Sequence, residues 1–349
     1  MEKIKGYIGT YTKGDSKGIY SFTLDLQVPQ IQDVKVAAHI ENPTYLTIDR
    51  TNKYLYSVAK KGETGGIAVY TIDDISGDLQ LLDSQLEEGP NPCHVSVDSQ
   101  NNYVVNANYH KGTVQLMGFN NNNEKILSTL STVKHEGSGP NKDRQEKPHV
   151  HYSGFTPDEK FIVVIDLGID KLITYEVNDE KLNEVNSLSL QPGSGPRHLE
   201  FHPNGQFAYL MTELSSQVIT LAYDRENGSF TEVQHTLTIP ENFTENNQGS
   251  AIHVSSDGKF VYVSNRGHNS IASFSVDESG HLTLIDFTPT EGAWPRDFVL
   301  DPTEKFLVVS NQESCNLTLF ARNTTIGTLA RIQSDIAVPD AVCVKFLNT

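Results

Sequence analysis

Six times along the chain a short apolar run descends into a turn built from Asp, Asn, Ser, Pro and Gly, and a second apolar run climbs out of it. The copies are NPTYLTIDRTNKYLYSVA (42–59), NPCHVSVDSQNNYVVNAN (91–108), HVHYSGFTPDEKFIVVID (149–166), GSGPRHLEFHPNGQFAYLMTELSS (193–216), GSAIHVSSDGKFVYVSN (249–265) and WPRDFVLDPTEKFLVVSN (294–311). Self-similarity at a period of about 40–50 residues marks a propeller or a solenoid. A third β-rich run follows each copy, as in GIAVYTID, KLITYEV and SIASFSVD, and usually a fourth, as in LQLLDS, LNEVNSL and LTLIDFT. Four short runs per unit, punctuated by turn residues, describe a four-stranded antiparallel blade.

The chain ends complete the count. KGYIGTYT reads as a second strand, GIYSFTLD as a third and VKVAAHI as a fourth, while the C-terminal PDAVCVKFL supplies the missing first. The expected fold is therefore all-β: a seven-bladed β-propeller over residues 1–349, one domain, its ring closed where the terminal strands share a blade. The polar stretch KHEGSGPNKDRQEKPH (134–149) falls outside the repeat and reads as a long loop placed as a lid.

Charge narrows the partners. A formal net charge of −17 repels nucleic acid and anionic membrane, so an anionic ligand needs a local cationic pocket. The opening MEKIKGYIGTYT has no apolar signal core, and no run approaches the roughly 18 apolar residues of a membrane span, which predicts a cytoplasmic protein. Cys93, Cys315 and Cys343 lack CxxC spacing and read as free thiols.

In each copy the first strand runs to the turn and the second runs back, so the start of one and the end of the other share a pole. Aligned on the turn, the strand-one starts are Thr44, Cys93, His151, Arg197, Ser250, Arg296 and Asp340. The strand-two ends include Tyr11, Lys60, Asn108 with Tyr109, Asp166, Glu213, Asn265 with Arg266, and Gln312. Generic turn chemistry occupies one pole, and the reactive residue types gather at the other. Three arginines, Arg197, Arg266 and Arg296, gather there with His149, His151, Glu213 and Asp166. Planar guanidinium donors in an acidic protein predict an anion site, with Asn108, Asn265, Asp166 and Arg296 as substrate-binding candidates. His94 and His198 follow the mouth position by one residue, so strand alternation predicts that they point between blades as structural histidines. No HxxxH helix or calcium-type carboxylate loop calls for a metal.

The motifs YIGTYT…GIYSFTLD, NPCHVSVD…ANYHKGTV, GSGPRHLEFHPNGQFAY, VSNRGHNSIASF and WPRDF, in this order, resemble the seven-bladed propeller lactonases. That family is typified by bacterial 6-phosphogluconolactonase of the cycloisomerase type, and is similar to the fungal carboxymuconate lactonizing enzyme. The resemblance implies a lactone-forming or lactone-hydrolysing site with no cofactor required, and hydrolysis of an anionic sugar-acid lactone, 6-phosphogluconolactone first, is the expected reaction. The family's histidine, two arginines and glutamate fall on His149 or His151, Arg197, Arg266 and Glu213. Two alternatives stand beside it: cycloisomerisation of an unsaturated carboxylate such as a muconate, and a noncatalytic interaction platform. The cationic, histidine-bearing mouth argues against the platform, which calls for an exposed apolar patch.

Overall fold

Runs such as Phe306–Asn311 (FLVVSN) and Ile162–Asp166 (IVVID) are buried at every residue, because neighbouring blades cover both faces of a blade's middle strands. Outer strands alternate instead, as Lys181–Ser189 does, since one face meets water. The computed structural model describes residues 2–120 and 126–348. Their strands form seven four-stranded antiparallel sheets arranged as the repeat predicts. Blade 1 joins Ala341–Phe346 to Lys3–Thr10, Gly18–Asp25 and Gln30–His39, so the two chain ends close the ring. Blades 2 to 7 then follow in chain order.

An apolar layer fills each gap between sheets. Between blades 4 and 5, Phe161, Val163 and Ile165 pack with Leu199, Leu210 and Ile219. Across the closure, Phe306, Val308 and Leu317 of blade 7 meet Ile8, Phe22 and Val344 of blade 1. Burying one such side chain contributes about 1.5–3 kcal/mol, and each layer draws its residues from two adjacent sheets. A recurrent polar clasp adds to this. The Tyr7, Tyr209 and Tyr262 hydroxyls donate to Gly77, Gly280 and Gly327 carbonyls of the following blade's outer turn, at 2.6, 3.1 and 3.0 Å.

The turn pole owes its composition to hydrogen bonding. Asp49, Asp98 and Asp301 each accept the amide five residues on, from Tyr54, Tyr103 and Phe306, all at 2.7 Å. At the other pole the inner strands are irregular. The pairing skips a residue at His151, Arg197, Arg296 and Val342, and Ser250 with Ala251 together face Ser264. A bulge leaves its extra residue unpaired and re-aims the side chain, and His151 and Arg296 reach the axial cavity from such positions.

Ring contacts across the channel overturn the expectation for His94 and His198. The two rings lie 5.4 Å apart across the channel, and His198 also meets Tyr45 of blade 2 and His151 of blade 4, at 5.8 and 5.2 Å. They face the axis below the mouth: at His198 the bulge at Arg197 breaks the alternation between faces, whereas the His94 strand pairs in regular register from His94 onward. No helix is long and apolar enough to cross a membrane among the described residues.

Candidate active site

The axial mouth opposite the turn pole holds a cavity of about 380 Å³. Its lining includes His151, Glu213, Arg266 and Arg296, together with Arg144, Tyr109 and Trp294. Each polar group arrives on a strand end. His151 and Arg197 ride bulges, Arg266 ends the strand Phe260–Arg266, and Glu213 follows Phe207–Thr212, its amide fixed to the Gly195 carbonyl at 2.6 Å.

Glu213 is the hub. Its Oε2 accepts from Arg197 Nε at 3.1 Å and Arg266 Nη2 at 2.7 Å, and its Oε1 from Arg144 Nη2. Arg266 also donates to the Gln248 and Gly249 carbonyls, at 3.3 and 2.8 Å. Arg197, Glu213 and Arg266 are each 3% exposed. Three guanidinium groups meet one carboxylate and Arg296 stands on the cavity wall, a surplus of three positive charges in a strongly acidic protein. Such a surplus in a concave, water-restricted site favours an anion.

Electrostatics divide the roles. Burial works to raise the Glu213 carboxyl, but Arg266 and Arg197 outweigh it and hold the group well below the usual carboxylate range. It is ionised, and therefore a poor proton acceptor. Burial, with Arg266 second, presses the Arg197 guanidinium down to about 9, still cationic at neutral pH. Burial and then Arg197 hold the His151 imidazole well below its ordinary value, so it is neutral, with a lone pair available but its basicity reduced until a bound anion offsets the arginine charge. His151 Nδ1 and Arg197 Nη1 are buried without a hydrogen-bond partner. Of the two residues only His151 lines the cavity; Arg197 is absent from its lining and reaches the site through Glu213.

The two candidate histidines separate. His151 lines the cavity, whereas His149 stacks on Tyr109 at 4.1 Å and spends both ring nitrogens, on the Tyr109 carbonyl and Glu146, at 3.0 Å each. His149 braces the wall. Three predicted substrate contacts are likewise absent from the lining. Asp166 accepts the amides of His149 and Gly168 and bonds His135 Nδ1 at 2.7 Å. Asn108 donates to the Pro90 carbonyl and accepts from Lys111, and Asn265 donates to the Thr238 carbonyl. Their side chains are consumed holding loop backbone in place. Among the described residues no group of His, Cys, Asp and Glu is disposed to hold a metal ion.

Arg144 escaped the sequence reading. It sits in the 134–149 insertion, outside the hairpin register that located the other arginines. The one available signal was the arginine within a polar insertion adjoining the His149–His151 copy. The insertion is pinned by fully buried Gln145, whose amide donates to the Leu167 carbonyl at 2.8 Å.

A family model described as "Lactonase, 7-bladed beta-propeller" matches residues 5–346. The chain is 52% identical over 349 residues to the 6-phosphogluconolactonase of Bacillus subtilis strain 168, covering 100% of this chain and 99% of that one. A crystal structure of a Lactobacillus plantarum protein is similar at a TM-score of 0.95 and 45% identity, covering 99% of both chains. The periplasmic gluconolactonase of Pseudomonas aeruginosa is similar at a TM-score of 0.93 and 30% identity, again covering 99% of each.

Proposed function

The chain belongs to the seven-bladed β-propeller lactonase family, and from that premise we propose that it hydrolyses 6-phosphogluconolactone, with His151 as general base and the arginine cluster as anion and oxyanion site. The observation that carries the reading is the neutral His151 beside a hub of guanidinium groups around ionised Glu213. A lactone is a cyclic ester. Water attacks its carbonyl carbon while His151 takes a proton from that water, and the carbonyl oxygen gains negative charge. Arg266 lines the cavity as a buried donor suited to that oxyanion, with Arg197 adding its charge through their shared partner Glu213, and such donors contribute most where water is excluded. Collapse breaks the ring C–O bond, the proton held by His151 passes to the departing alkoxide, and the open-chain acid ionises to its carboxylate. Proton transfer of this kind typically contributes about 10²–10⁴-fold.

Arg296 and Arg144 fit the phosphate. Arg296 lies over Tyr11, 5.3 Å from the ring centroid, and the Arg144 side chain keeps 30% of its surface exposed, so both remain accessible to a ligand. Three unpaired cysteines support action in a reducing compartment such as the cytoplasm. The test is the opening of 6-phosphogluconolactone by chelator-treated protein, followed by proton release. The wild type is expected to exceed the spontaneous rate, and Arg197→Ala to lose about 10²-fold or more of the enhancement. Equal rates with and without the wild-type protein would eliminate this substrate.

A further inference from the structure

Trp294 is the chain's single tryptophan, and it lines the cavity half-buried. Its backbone is held at φ +64°, in the left-handed region. Every other non-glycine residue found there among the described residues is Asp, Asn, Glu, Ser or Cys. A bulky aromatic at positive φ is strained, and the following Pro295 restricts it further. The surroundings impose the conformation. Asn269 Oδ1 accepts the Trp294 amide at 2.9 Å, and the Trp294 carbonyl accepts the Gln312 amide at 3.0 Å. Strain of this type persists where the structure over-determines a position, and it concentrates at ligand sites.

The indole has two neighbours of different kinds. The Arg266 guanidinium lies 5.6 Å from its centroid, and the ring also borders the cavity that holds His151 and Arg296. A sugar lactone matches that environment. Its ring carries a face of C–H groups with slight positive character, which packs on the electron-rich face of an indole, while its hydroxyls and anion turn outward to polar groups. We propose that Trp294 is the platform for the lactone ring and sets selectivity for sugar lactones over small aliphatic ones, a claim that rests on the lactonase reading above. Trp294 thereby acts on binding, and His151 on bond cleavage.

The single tryptophan makes the platform directly observable. Excited where tyrosine does not absorb, emission reports this one ring. Titration of the wild type with glucose 6-phosphate, a stable six-membered ring bearing the same phosphate, is expected to change the emission saturably, and inorganic phosphate to leave it unchanged. In hydrolysis of 6-phosphogluconolactone, Trp294→Leu keeps the bulk but not the π face, and is expected to raise KM about tenfold with kcat far less affected. Trp294→Phe should retain most of the affinity. Competitive inhibition by glucose 6-phosphate without any change in emission, or equal losses in Trp294→Leu and Trp294→Phe, would overturn the platform and leave the reaction standing. Emission that responds in a protein that opens no sugar lactone would overturn the reaction and leave the platform standing. Failure of both measurements in the wild type would remove both.

Discussion

The difference between His149 and His151 lies in what is left for a substrate. Both rings are buried, but His149 has both nitrogens engaged and a stacked tyrosine, while His151 keeps Nδ1 free. Sequence alone gave no means to separate two histidines spaced i and i+2 at one strand start, because the choice depends on the bulge. The protonation state then predicts a pH profile. Burial and Arg197 lower the His151 value, so the neutral, base-competent form dominates throughout the neutral range. That form is lost only as pH falls through the depressed value. With unphosphorylated gluconolactone, whose charge does not change there, kcat/KM should stay level down to the ordinary imidazole range and decline only below it. An acid limb at or above 6.5, the ordinary histidine value, would exclude His151 from the role.

At the scale of elements, the hairpin repeat was fully legible because its two determinants are local: apolar runs of strand length and turn residues that cap themselves. Alternation failed where pairing slips. Cys93 and His94 both address Ala107, and Arg197 precedes His198 without a partner of its own, so adjacent side chains share one face. The 134–149 insertion was legible as a loop, but not its grip on the site, since Arg144 meets Glu213 across 69 positions of sequence. The strap depends on Gln145, which donates to the Leu167 carbonyl and accepts the Asn141 amide. Gln145→Ala removes the side-chain donor to that carbonyl and the acceptor of the Asn141 amide, at a local cost of about 1–3 kcal/mol. Faster amide exchange confined to 139–147 is expected, with a raised KM as Arg144 loses its anchor. Unchanged exchange would show that the strap is held elsewhere.

Across the whole molecule, stability and chemistry reside in different layers. The ring is fastened by Ala341–Phe346, paired with Lys3–Thr10 and buried through Val342, Cys343, Val344 and Phe346. Ending the chain at Pro339 removes that strand and uncovers the faces of Ile8 and Phe306. The shortened protein is expected to lose its single cooperative urea transition and to self-associate through the opened edge, measured by denaturation and size exclusion. Retention of a monomeric transition within about 1 kcal/mol of the full chain would show that the terminal clasp is dispensable. The bulges at the mouth carry a different consequence. Because the unpaired residue takes no part in the ladder, exchanging it alters what the axis presents without disturbing how the sheet is knitted. A chain of this design is free to try new reagents one blade at a time, which makes its repertoire separable from its durability.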